Sequence, residues 1–222
     1  MQIYKNRTRI KICGMTDVTQ VEHAVSLGVD AIGVILHANS PRVIALDQAK
    51  LIRDVIPAFV TLVGVFVDAD RDQIEASVEH AGLDLIQLHG DESDELGQSL
   101  SRPYIKAIRA KSKDQVLNDG ALFPSASGIL LDPYVKGQHG GTGVTLNDTL
   151  WPNNSRLPSL MLAGGLSPNN VAERIRQLSP YAVDLNSGLE VSPGQKDPSM
   201  VAQAVNQVYL ADTRSREFKR DA

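Results

Sequence analysis

The chain has 222 residues, enough for one large domain or two small ones, with 42% hydrophobic and 22% charged residues and a formal net charge of −4. That is ordinary globular composition, and its acidic balance argues against a nucleic-acid or acidic-membrane partner while leaving room for a local basic site. A single cysteine cannot make an internal disulfide and suits a reducing compartment such as the cytoplasm; the first ten residues lack the apolar centre of a signal peptide, and no apolar run nears the ~20 residues of a membrane helix.

Eight short apolar runs punctuate the chain. The first, "IKIC" (10–13), precedes "TDVTQVEHAVSLG", where Thr16 or Asp17 can cap a helix, Val18, Val21 and Val25 share a face, and Gly28 can close it. "AIGVIL" (31–36) and "VTLVGVFV" (60–67) follow. Asp70 then offers a cap, Ile74, Val78 and Ala81 recur at helical spacing, and Gly82 ends the pattern. The remaining runs are "LDLIQLH" (83–89), "YIKAI" (104–108), "GILLD" (128–132), "LMLAGG" (160–165) and "AVDLNSG" (182–188). Ser167 and Pro168 read as N-cap and first residue of the helix after the seventh run. Asp197 and Pro198 do the same after the eighth, ahead of a Val201, Val205, Val208 stripe.

The runs are near-continuous and rich in Val, Ile and Leu, as parallel strands covered on both faces are. Eight strand–helix units predict a single α/β domain over residues 1–222, a (β/α)8 TIM barrel of eight parallel strands with outer helices. Residues 1–8 read as a lead-in and 211–222 as a fraying helix end or polar tail. A doubly wound open sheet is the rival; eight units are many for one, and no GxGxxG follows the first run.

Active sites of such barrels lie at the C-terminal ends of the strands. The polar residues that end the runs are Cys13, His89, Asp132, Gly164, Gly165, Asp184, Ser187 and Gly188, with Arg42 just past the second run. "LAGGLSP" and "DLNSGLE" fit a phosphate site, because glycine lets backbone N–H groups approach an anion and the loops after strands 7 and 8 recur in that role. "VKGQHGGTG" (135–143) lacks the GK[ST] ending of a nucleotide-triphosphate loop and reads as a mobile loop able to cover a ligand. Asp132, behind three apolar residues, is a helix cap, a rim ion pair or a general acid. Cys13 is a small buried hydrophobe by residue type alone. Its place at a strand end, before Gly14, makes it a candidate base, with Lys11 on the same face able to favour the thiolate and Asp184 acting against it. Arg42 is an exposed loop arginine or a carboxylate clamp. His89 is a satisfied rim histidine or a ligand donor. The histidines make no HxxxH or HExxH and the lone cysteine excludes a thiolate cluster, so no metal site is read.

In order, "KICGMTD", "SPRV", "VGVFV", "QLHGDE", "LLD" with "GGTG" downstream, "LAGGLSPNNV" and "DLNSGLE…PGQKD" resemble the phosphoribosylanthranilate isomerases of tryptophan biosynthesis, over residues 9 to 209. The resemblance implies a cofactor-free Amadori rearrangement of N-(5-phospho-β-D-ribosyl)anthranilate to 1-(2-carboxyphenylamino)-1-deoxy-D-ribulose 5-phosphate. It implies Cys13 as general base, Asp132 as general acid, and Gly164, Gly165, Ser187 and Gly188 as the phosphate grip. Arg42 would face the anthranilate carboxylate, with His89 and Asp184 lining the site. The partner is then a phosphorylated small molecule; a monomer is the default and a homodimer stays open. One departure is Leu146-Asn147-Asp148, where the family shows a Phe-Asp-Trp-like stretch, which bears on the sixth helix; another is Asn186 in place of a small residue. Two other readings stand beside this one. The histidine-pathway sugar-phosphate isomerase carries an aspartate on strand 1, against Cys13 here; the other is a barrel that binds a phosphorylated ligand without turning it over.

Overall fold

The computed structural model of the chain describes residues 7–134, 144–152 and 157–217. Eight parallel strands close into a barrel: β1 (Arg9–Ile12), β2 (Ala31–His37), β3 (Thr61–Phe66), β4 (Leu85–Leu88), β5 (Tyr104–Ala110), β6 (Gly128–Pro133), β7 (Leu160–Leu162) and β8 (Ala182–Leu185). Closure is the pairing of β1 with β8, which sets Lys11 beside Asp184 and Ile12 beside Leu185. Alternate residues of these strands face outward and join the helices in one large apolar core; inward residues make small layers such as Cys13, Ile35, Val65 and Ala107, Leu130, Ala163.

The helices are α1 (Val18–Ser26), α2 (Leu46–Val55), α3 (Arg71–Ala81), α4 (Asp94–Ser99), α5 (Lys113–Ala121), α6 (Val171–Leu178) and α7 (Pro198–Glu217). Local chemistry sets their ends. Asp17 caps α1 by accepting from the Gln20 N–H at 3.1 Å. Asp70 and Gln73 form a reciprocal capping box at 2.8 and 3.0 Å, and Gly82 ends α3 in the left-handed region at φ 64°. Asp70→Ala is therefore expected to destabilise the fold by about 1 kcal/mol, read as a lower urea midpoint at unchanged slope. Asp197 Oδ1 accepts from the Ser199 and Met200 N–H groups and starts α7, whose Val201, Val205 and Val208 are buried.

Three expectations change. First, α6 begins at Val171, not Pro168: Pro168–Asn170 form a turn in which the Asn170 side chain accepts from Ser167 N–H and donates to Gly165 O, both at 2.9 Å. Second, the described part of the β6–β7 connection holds a 3-10 turn (Asp148–Leu150) and no α-helix. Its Leu146 and Trp151 are buried, Asn147 caps it, and Arg174 of α6 binds both Asp148 and the Leu146 carbonyl. The stretch that departs from the family pattern thus still seals the barrel wall. Third, of the two readings of the C-terminal stretch the tail gives way to the helix end: residues 211–217 continue α7, with Ala211 buried. Thr8 is likewise buried, its N–H and hydroxyl both donating to Asp212. A short hairpin, β9 (Glu190–Ser192) with β10 (Gln195–Lys196), follows β8 and was not expected. Residues 135–143, read above as a covering loop, lie outside the described residues. No helix among the described residues is long and apolar enough to cross a membrane.

Candidate active site

All nine residues singled out above line one pocket at the C-terminal mouth of the barrel: Cys13, Arg42, His89, Asp132, Gly164, Gly165, Asp184, Ser187 and Gly188. Cys13 follows the last residue of β1, held by its N–H on the Leu185 carbonyl at 2.8 Å. Gly14 then turns away at φ 70°, where a Cβ would sit 2.8 Å from both Arg42 Cδ and Asn186 Oδ1. Only glycine fits here, on conformational and steric grounds alike. Gly33 makes a second clearance, since a Cβ there would stand 2.9 Å from Cys13 Sγ and 3.0 Å from Lys11 Nζ.

The thiol is buried, and burial holds its pKa above the ordinary value. The Lys11 charge pulls the other way, the Asp184 carboxylate adds to the rise, and Lys196 pulls down again. Lys11 donates to Asp184 Oδ1 at 2.9 Å inside the barrel. Burial works against its charge, but Asp184 and the thiol outweigh that and raise its pKa.

Across the mouth, Asp132 is buried on β6, with its Oδ2 3.6 Å from His89 Nε2, beyond hydrogen-bond length. Gln87 Nε2 donates to His89 Nδ1 at 2.9 Å, which puts the ring proton on Nε2, the side facing Asp132. His89 Nε2 and Gln87 Oε1 are both buried without a partner among the described residues. His89 is thus no satisfied rim histidine: its Nε2–H and Gln87 Oε1 present a donor and an acceptor to the pocket.

The third wall is backbone. Gly164 and Gly165 adopt φ 86° and 54°, and a Cβ on Gly164 would lie 2.1 Å from Pro133 Cδ. A Cβ on Gly188 would lie 2.0 Å from the Leu166 carbonyl oxygen, so the loops after β7 and β8 are pressed together. Arg42 is not an open loop arginine. It is buried, and its Nε and Nη2 grip Glu190 at 2.7 to 3.1 Å. Lys196 of β10 joins them, donating to Glu190 Oε1 at 2.6 Å, Asn186 Oδ1 at 2.8 Å and Asn186 O at 3.2 Å. Glu190, Lys196 and Gln87 were missed by the sequence reading. Residue type marks none of them; only burial and partners do.

A (β/α)8 barrel with a thiol, a carboxyl and glycine-framed loops meeting at the C-terminal mouth defines a class: barrel enzymes that act on small anionic substrates. Comparison with known proteins narrows it. Residues 10–207 match the family described as N-(5'phosphoribosyl)anthranilate (PRA) isomerase, and the chain belongs to that family of isomerases. The N-(5'-phosphoribosyl)anthranilate isomerase of Pseudomonas aeruginosa (strain LESB58) is 44% identical over 200 residues, covering 90% of this chain and 94% of the relative. The crystal structure of the Thermotoga maritima phosphoribosyl anthranilate isomerase superposes with a TM-score of 0.82 at 31% identity, over 91% of this chain and 98% of that one. A phosphoribosyl anthranilate isomerase in complex with reduced 1-(o-carboxyphenylamino)-1-deoxyribulose 5-phosphate superposes with a TM-score of 0.78, also at 31% identity and over the same shares.

Proposed function

We propose that the chain carries out the Amadori rearrangement of N-(5-phospho-β-D-ribosyl)anthranilate with Cys13 as general base and Asp132 as general acid. The observation that carries this reading is that thiol, carboxyl and glycine loops line one pocket. Asp132 gives its proton to the furanose ring oxygen; the C1–O bond breaks and the nitrogen lone pair forms the C1=N bond of an open-chain Schiff base. The Cys13 thiolate takes the C2 proton, and the electron pair moves to give an enolamine. The C2 enol then passes its proton to the site, C1 is protonated, and the ketone forms. Oxidation at C2 balances reduction at C1, so the rearrangement is complete without an outside electron carrier.

Each positioned acid or base contributes typically about 10²–10⁴-fold. Holding the phosphate between the β7 and β8 loops supplies positioning on top. Arg42 takes the ring carboxylate, His89 donates toward Asp132 and the sugar oxygens, and Asp184 holds Lys11 beside the thiol. A monomer is the default assembly on this reading. The lone thiol suits the reducing cytoplasm.

Loss of substrate fluorescence on mixing purified protein with phosphoribosylanthranilate tests the activity directly; a flat trace sinks the proposal. The phosphate grip has its own test. Gly188→Ala forces the two loops apart, and ribulose 5-phosphate binding measured by calorimetry should weaken by roughly tenfold, the cost of one or two lost charge-assisted backbone bonds. Unchanged binding would move the phosphate elsewhere.

A further inference from the structure

The cluster beneath Arg42 does not balance its charge. Arg42, Lys196 and Glu190 have side chains at most 10% exposed, and two cations share one carboxylate. Glu190 takes Arg42 Nε and Nη2 and also Lys196, so its two oxygens are fully used. Lys196 spends its three donors on Glu190 and Asn186. Among the described residues nothing bonds Arg42 Nη1, and Arg42 lines the pocket. Burying a net positive charge is costly, and an anion arriving at Nη1 offsets that cost. Burial lowers the Lys196 pKa, and the hydrogen bond and charge of Glu190 offset only part of that.

We infer that Glu190 and Lys196 are positioning residues that set the specificity of the pocket for a carboxylated aromatic ring. Glu190 fixes the guanidinium through Nε and Nη2 and leaves the two N–H groups of Nη1 for the ligand. Lys196 cancels the Glu190 charge, so that Arg42 meets the ligand with its full positive charge. Without Lys196 the Arg42–Glu190 pair is neutral and has little call on a carboxylate. The hairpin of β9 and β10 exists, on this reading, to carry that ammonium inward; the Lys196 N–H is itself pinned by Gln20 Oε1 at 3.0 Å. The inference rests on the proposal that Arg42 receives the substrate carboxylate.

The test is equilibrium binding of two probes, the reduced carboxyphenylamino-deoxyribulose 5-phosphate and its phenylamino counterpart without the carboxylate. Four proteins are compared with wild type: Arg42→Met, Lys196→Met, Glu190→Gln and the Lys196→Met/Glu190→Gln double variant. Lys196→Met should weaken the carboxylated probe by about tenfold, as removal of one charge near the ligand at an effective dielectric of about 20 does, and leave the other probe within about twofold. The double variant restores the net charge of the cluster, so it should bind the carboxylated probe more tightly than Lys196→Met alone. A purely structural role predicts the reverse order, and that result overturns the inference. Glu190→Gln raises the net charge of the cluster while losing the aim of the guanidinium, so the carboxylated probe should bind at least as tightly as to wild type while kcat falls; weaker binding of that probe counts against the charge argument. Arg42→Met separates the two readings. If it weakens both probes alike or neither, the Arg42 assignment fails. If it weakens only the carboxylated probe and Lys196→Met weakens neither, the role of Lys196 alone fails. Melting curves on all four identify any variant that misfolds, and the double variant, free of unpaired like charges, keeps the comparison decisive.

Discussion

Cys13→Ala is expected to lower kcat for phosphoribosylanthranilate by about 10²–10⁴-fold, the usual contribution of a positioned base, while binding of the reduced product analogue stays within about twofold. The side chain is small and packs on Ile35, Val65 and Ala38, so its loss leaves the wall standing. The pH profile of Asp132→Asn, in which the ionisation of the acid is gone, carries the second half of this prediction. The thiolate is the working base and burial raises the thiol pKa, so the residual kcat/KM should climb with pH through and beyond the ordinary thiol range. Lys11 favours the thiolate and Asp184 opposes it. Lys11→Met added to that variant removes the first and frees the second, so the rising limb should move to higher pH. A limb that stays put would remove Lys11 from the account. Near-full activity of Cys13→Ala would remove Cys13 itself.

Asp132→Asn is expected to lower kcat by a similar factor of about 10²–10⁴, because an amide of the same shape has no proton to give the ring oxygen. Shape is kept, so binding of the product analogue should hold and the melting temperature should barely move. His89 refines the expectation. Its Nε2 proton faces the carboxyl from 3.6 Å, close enough to stabilise the carboxylate left after proton transfer once a ligand draws the groups together. If Asp132→Asn keeps turnover within about threefold of wild type, the acid lies elsewhere, since no isosteric amide can replace a proton donor of that weight.

Much of this was legible in the residues. Eight apolar runs mark eight strands because a parallel barrel strand is covered on both faces, which erases the alternation that would blur its identity. Asp70 with Gly82 and Asp197 with Pro198 bound their helices because caps act within one turn. The start of α6 was misread for the same local reason: Ser167-Pro168 has the letters of a cap, yet the Asn170 side chain closes that turn first and delays the helix to Val171. Cys13 and Asp132 were found because strand ends are countable. Glu190 and Lys196 were not, because a glutamate and a lysine in a polar loop look solvated until the fold turns both inward. Arg42 shows the boundary well: its place in "SPRV" was readable, but the carboxylate that grips it lies 148 positions away.

The bond between Thr8 and Asp212 joins residues 204 positions apart. With β1 zipped to β8, the wall of the barrel has no first or last stave. A circular permutant that joins Asp212 to Thr8 through a linker and opens the chain in the exposed Pro57–Phe59 turn would keep all eight strand pairings and every pocket residue named above.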